Sequence, residues 1–184
     1  MDRAVFLDRD GTIIEDRGFI TEKKDIVFFH GVFAALRELQ KYFKLFIVTN
    51  QCGVGLGHLS QDSVKFIHDQ MLWSLYNEGV LIEQTYTCFH VREDKCKCMK
   101  PSPYFLQEAA RNYDLSLPDS FLVGDHPHDI ECAENAGAIG LYVMTGHGSK
   151  HMSQLSSKVK VFPDLSIAAK WIHKHHTCRN GRTK

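Results

Sequence analysis

The sequence has no surplus of charge of either sign: Lys+Arg and Asp+Glu each number 22 among 184 residues. Without a basic surplus or a basic stripe there is nothing to neutralise a run of phosphates or to draw the chain to anionic lipid, so no nucleic-acid partner is expected. No apolar run approaches the roughly 20 residues of a membrane-spanning helix, so no membrane partner is expected either. Met1-Asp2-Arg3 leads straight into the first apolar segment and leaves no room for an export signal, which makes a cytoplasmic location the expectation. Repeats and linkers are missing too. One domain over 1–173 is therefore expected, long enough to bury a real core. After Ile172 the apolar periodicity stops, and 174–184 is expected to be a flexible basic tail.

What is present alternates. Ala4–Leu7, Leu45–Val48, Ile82–Thr87, Phe121–Val123, Ile139–Val143 and Val159–Phe162 read as short strands. Between them lie helical patterns: 32–42 with Val32, Ala35, Leu36 and Leu39 on one stripe, and a helix capped by Ser60 that shares Val64, Ile67, Met71 and Leu75. A third starts at Ser102-Pro103, with Ser as cap and Pro in the first position. A fourth follows Gly124-Asp125, and a last one runs from Leu165 to about His173. Met71, Trp73, Leu75 and Tyr76 read as core and interface. Strands alternating with helices predict an α/β fold: a three-layer parallel sheet, Rossmann-like, with ligands at the carboxyl ends of the strands.

Two carboxylates, Asp8 and Asp10, follow the first strand and lead into Gly11-Thr12. Side by side they repel unless a cation lies between them or one keeps a proton, and either solution suits phosphate chemistry. Asp-x-Asp-Gly-Thr can equally be an ordinary turn. Thr49-Asn50 and Gly124-Asp125 also stand just past strands, and Lys100 lies shortly after the third. Parallel topology predicts that they converge on one edge.

Taken together, these residues resemble the haloacid dehalogenase (HAD) superfamily of phosphatases. Asp8-Arg9-Asp10-Gly11-Thr12 matches the first motif, Thr49 the second, Lys100-Pro101 the third, and Gly124-Asp125 with Asp129 the fourth. The resemblance implies a HAD-like phosphatase without a large cap domain, acting on a small phosphorylated metabolite. Mg2+, a hard cation that prefers oxygen, would be held by Asp8, the carbonyl of Asp10 and Asp125, with Asp129 in support. Asp8 would be the nucleophile and Asp10 the acid and base. Thr49 and Lys100 would stabilise the phosphoryl oxygens.

Cys88-x-His90 followed by Cys96-x-Cys98 is a second signal. Three thiols and an imidazole on a polar loop suit tetrahedral Zn2+, with every position filled by protein and hence a structural role for the 88–98 loop. Incidental cysteines with a surface histidine are the alternative.

A metal loop directly before Lys100 resembles the superfamily branch of heptose bisphosphate and histidinol-phosphate phosphatases. Asp16-Arg17-Gly18-Phe19, Thr49-Asn50-Gln51 and Met71-x-Trp73 look most like the heptose enzymes. By that resemblance Asp16, Arg17, Gly18, Phe19, Thr49, Asn50, Gln51 and Cys52 would contact substrate, with 99, 100 and 126 also in the pocket. Met99 stands where the branch has Arg, and His126 where heptose enzymes carry Lys, so the holder of a second phosphate is open. Arg17, His58, Arg92 and His126 are the candidates. The metal loop is short, as in the histidinol-phosphate enzymes. A nucleic-acid 3′-phosphatase would use the same groups but lacks the expected basic stripe. A non-catalytic, zinc-stabilised module would have no chemical need for Asp8, Asp10, Lys100 and Asp125 together.

Overall fold

A computed structural model describes residues 1–180, with side chains through His176. Six strands form a wholly parallel sheet: β1 (Ala4–Leu7), β2 (Lys44–Asn50), β3 (Gln84–Cys88), β4 (Phe121–Gly124), β5 (Ile139–Val143) and β6 (Lys160–Phe162). Their order is β3-β2-β1-β4-β5-β6. Among the described residues six helices complete the layers: α1 (Val32–Leu39), α2 (Gln61–Asn77), α3 (Tyr104–Tyr113), α4 (Pro127–Ala136), the short α5 (Gly148–His151) and α6 (Leu165–Asn180).

Strands buried on both faces must be apolar at every position, and all four residues of β1 are. The two-residue pleat then sorts them. Val5 and Leu7 join Leu45, Ile47, Phe121 and Val123 under α1, α2 and α6. Ala4 and Phe6 join Phe46, Val48 and Leu122 under α3 and α4, where the Phe6 and Phe46 rings stack 5.2 Å apart. α2 starts where Ser60 and Ser63 exchange side-chain-to-backbone hydrogen bonds of 3.0 and 3.1 Å. A cap of this kind contributes about 1 kcal/mol.

Five local expectations need adjustment. β3 begins at Gln84, two residues later than expected, and α1 ends at Leu39, where the chain turns back with Tyr42 N–H donating to Leu39. α3 begins at Tyr104, because the Ser102 hydroxyl donates to the Lys97 carbonyl (2.5 Å) and Pro103 becomes the cap. Trp73 and Tyr76 are exposed, while Met71 and Leu75 are buried. α6 continues to Asn180, past His173. Its histidine rings substitute for aliphatic packing: His173 and His176 lie 5.2 and 5.1 Å from the Tyr42 ring, and His175 stacks on Trp171 at 4.7 Å. The remainder of the expected tail, 181–184, lies outside the described residues.

In this strand order the chain winds outward in both directions from the adjacent pair β1 and β4. The crevice beyond their carboxyl ends is where ligands bind in open α/β sheets. No helix among the described residues is long and apolar enough to cross a membrane.

Candidate active site

Asp8 leaves β1 and Asp125 leaves β4, and the pairing of Leu7 with Val123 holds them side by side. Asp129 reaches the same point from the first turn of α4. Lys100 sits among them, almost fully buried, with Nζ donating to Asp8 Oδ1 (2.8 Å), Asp129 Oδ1 (2.6 Å) and the Val48 carbonyl (3.0 Å). Three acceptors match the three protons of an ammonium. Burial disfavours the charged lysine, but Asp129 and Asp8 outweigh it and hold its pKa above the usual range.

One ammonium cannot satisfy three carboxylates. Burial pushes the Asp8 pKa up to about 7, against the pull of Lys100 and with the push of Asp129. Burial, then Asp8, pushes Asp125 up to about 8, opposed by the His147 N–H that donates to its Oδ2 at 2.7 Å. The carboxylate oxygens of Asp8, Asp125 and Asp129 lie within 4.8 Å of one another. That is a hard-oxygen donor set with excess negative charge, which fits a divalent cation. The chain passes close by at Gly11, which has φ +77° and where a Cβ would strike the Asp125 carboxylate.

Asp10 stands apart from this cluster. Arg9, itself almost fully buried, holds the Asp10 carboxylate through two hydrogen bonds of 2.9 Å. Gln51 Nε2 donates to Asp10 Oδ2 and to Thr49 Oγ1, each at 2.9 Å, tying the first and second motifs together. Asn50 braces the third, with its Oδ1 accepting from the Lys100 N–H at 3.2 Å.

These groups open onto a cavity of about 570 Å³. Its wall includes Asp8, Asp10, Asp16, Gly18, Phe19, Thr49, Asn50, Gln51, Cys52, Lys100, Asp125, His126 and Asp129. Arg17 and Met99 are not on it: Arg17 turns outward to Glu15 at 2.8 Å, and Met99 is half-buried behind Lys100 in the chain. His128, His147 and Gly53 are on the wall although sequence reasoning did not single them out. The His126 ring lies 4.5 Å from that of His128 and 4.7 Å from that of His151. Burial, then His128, pushes the His126 pKa down to about 4. His58, another candidate anchor, instead stacks on Phe19 at 5.0 Å. A larger depression of about 810 Å³ lies at the opposite end of the sheet, around Arg3, Tyr42 and Tyr76, and none of the carboxylate cluster lines it.

Beside the cavity, Cys88, His90, Cys96 and Cys98 face a common centre. Their sulfurs are 3.3–3.6 Å apart, and His90 Nδ1 is 3.6 and 3.4 Å from Cys88 and Cys98. Zn–S bonds of 2.3 Å in a tetrahedron would separate sulfurs by about 3.8 Å, so a slight expansion suits a metal. The register pairs Asn50 with Cys88, and the Gln51 N–H donates to the Cys88 carbonyl at 2.7 Å, so this loop and the Thr49–Gln51 segment share one support.

Residues 97–168 match a family model described as HAD-hydrolase-like. A Haemophilus ducreyi D-glycero-beta-D-manno-heptose-1,7-bisphosphate 7-phosphatase is 38% identical, over 73% of this chain and 79% of its own length. The enzyme of that name from Escherichia coli O6:H1 is 33% identical, over 92% of this chain and 87% of its own. A crystal structure of the D,D-heptose 1,7-bisphosphate phosphatase of B. bronchiseptica, complexed with magnesium and phosphate, superposes with a TM-score of 0.87 at 30% identity. It covers 94% of this chain and 99% of that one. The protein is therefore a phosphatase of the HAD superfamily, and it belongs to the family of these heptose bisphosphate phosphatases.

Proposed function

We propose that the enzyme removes the 7-phosphate from D-glycero-β-D-manno-heptose 1,7-bisphosphate through an aspartyl-phosphate on Asp8. The observation that carries this reading is Asp8 beside buried Lys100, 2.8 Å away, in the crevice between β1 and β4. An Asp8 oxygen attacks phosphorus while the bond to the sugar oxygen breaks, and Asp10 gives that oxygen a proton. Water then attacks the acyl phosphate, yields its proton to Asp10 and releases phosphate, returning Asp8. Lys100 and Thr49 offset the charge that develops on the phosphoryl oxygens. Arg9 and Gln51 aim the Asp10 carboxylate, since both hold it at 2.9 Å.

Mg2+ would be held by Asp8, Asp125 and the Asp10 carbonyl, with Asp129 in support. When bound it supplies charge neutralisation for the phosphoryl group and lets Asp8 and Asp125 ionise together. The Cys3His loop would hold a structural Zn2+, since four protein ligands leave no open position.

Phosphate release from heptose bisphosphate, histidinol phosphate and a 3′-phosphorylated oligonucleotide in Mg2+ buffer tests the reading. Heptose bisphosphate should give a kcat/KM at least about tenfold above the others, a margin of one ordinary discriminating contact. Preference for either competitor would overturn it.

A further inference from the structure

We propose that Arg92 and His128 form a rim subsite for the second phosphate of a bisphosphate substrate. The inference rests on the bisphosphate reading above and gives it a specificity determinant.

The need follows from charge. Asp8, Asp10, Asp16, Asp125 and Asp129 line the cavity, and among the described residues Lys100 is the one lysine or arginine on its wall. A bisphosphate carries roughly −3 to −4 at neutral pH. Lys100 and a divalent cation together do not offset five carboxylates, so the phosphate remote from the chemistry must be met away from them by other groups. Arg9 is already closed onto Asp10, and Arg17 onto Glu15.

Arg92 is differently placed. It stands on the metal loop, in a short 3-10 turn over Arg92–Asp94. Its Nη2 meets His128 Nε2, on the cavity wall, at 3.3 Å. No carboxylate lies within ion-pair distance of its guanidinium among the described residues, so most of its donors face solvent at the rim. The loop that carries it is fixed. Val91 N–H donates to Asp94 Oδ2 at 2.9 Å, and Gly55 N–H donates to the Phe89 carbonyl at 3.0 Å. A Cβ at Gly55 would press on Phe89 and Val91 at 2.9 Å, so the two loops are in direct contact.

The hydrogen bonds also set which ring nitrogens can donate. His128 Nε2 accepts from Arg92, so in the neutral ring Nδ1 carries the proton. His126 Nδ1 accepts from the His128 N–H at 3.2 Å, leaving its Nε2 as the donor. A guanidinium flanked by neutral imidazole donors is a phosphate site that needs no titration within it.

The test compares kcat/KM for heptose 1,7-bisphosphate with that for heptose 7-phosphate, in wild type, Arg92→Gln, Arg92→Lys and His128→Ala. Arg92→Gln should lower the bisphosphate-to-monophosphate ratio by about 10–100-fold, mainly through KM, the span of a charge-assisted hydrogen bond. Arg92→Lys should recover part of it, because charge returns without the planar fork. His128→Ala, remote in sequence from the metal loop, should lower the ratio by about 3–10-fold, as loss of a neutral hydrogen bond does. Metal content of each variant monitors the loop. An unmoved ratio for both Arg92→Gln and His128→Ala, or an equal loss on both substrates, overturns the subsite. So does a wild type that prefers no bisphosphate. If the wild type instead prefers another bisphosphate, such as fructose 1,6-bisphosphate, the heptose reading fails. The same ratios on that sugar and its monophosphate then decide the subsite.

Discussion

The molecule holds two clusters of side chains that could each hold a metal ion, one past the ends of β1 and β4 and the other where β3 leads into its loop, and they are built in opposite ways. Asp8 and Asp125 come from two separate strand ends, Lys100 from the turn before α3 and Asp129 from a helix turn, and only the order of the parallel sheet brings them together. Cys88, His90, Cys96 and Cys98 come from one loop and need only the chain between them. The first cluster mixes three carboxylates with a single ammonium and opens on a cavity, so its charge is left to be completed by what binds. The second closes on itself. The contrast separates two uses that a cation would have: at the first cluster it would tune ionisation beside Asp8, and at the second it would replace a hydrophobic core that a polar loop cannot supply.

The sharpest way to break this comparison is Asp8→Asn. The amide is nearly isosteric but far less nucleophilic, so turnover should vanish while circular dichroism is unchanged. Asp10→Asn should keep the nucleophile and lower kcat by about 10²–10⁴-fold, the worth of acid–base help. Near-normal turnover by Asp8→Asn would sink the covalent mechanism.

Cys98→Ser attacks the closed cluster instead. Zinc, measured by elemental analysis, should fall from about one per chain, as a four-ligand site implies, to none. The melting temperature should fall by about 5–10 °C, taking roughly 2–4 °C per kcal/mol in a domain of this size. Absence of zinc from freshly purified, reduced wild type would refute the structural site outright.

A gentler probe is pH. Carboxylates raised in the folded state hold protons that the unfolded chain has lost, so they destabilise the metal-free protein as pH rises from about 4 toward 8. His68 and His126, both pushed down to about 4, act with the other sign below about 6.5. The rise in melting temperature on adding Mg2+ should therefore be small near pH 5.5 and grow through pH 7 to 8. A shift independent of pH would mean that Mg2+ does not bind at Asp8 and Asp125. The smallest effect is expected from Met99→Arg. Its side chain is off the cavity wall, so KM for either a bisphosphate or a monophosphate should change by less than about threefold, under the worth of one hydrogen bond.

The sequence made the strand-end groups legible for a physical reason. A buried parallel strand is a continuous apolar run, and a charged residue that breaks it, as Asp8 and Asp125 do, must project past the sheet. The meeting of Cys88, His90, Cys96 and Cys98 was legible because the four are local in sequence. The histidines were not. His128 and His147 have no signal in their own neighbourhoods, and they reach the wall only because α4 begins, and the segment after β5 passes, beside it. Arg17 and Met99 show the converse, since adjacency in sequence to wall residues did not put them on the wall. The continuation of α6 past His173 was hidden because histidine reads as polar, although its ring packs on Tyr42 as an aromatic would.

A sheet whose strands all run one way also gives the molecule a front and a back. Residues 1–3 enter β1 from the back, where Asp2 bridges to Leu115, and the four residues of β1 carry the chain about 13 Å to Asp8 at the front. A tag or surface tether attached at Met1 would thus leave the cavity facing free solution. The enzyme is suited to immobilisation through that end, with sugar phosphates reaching the opposite side unhindered.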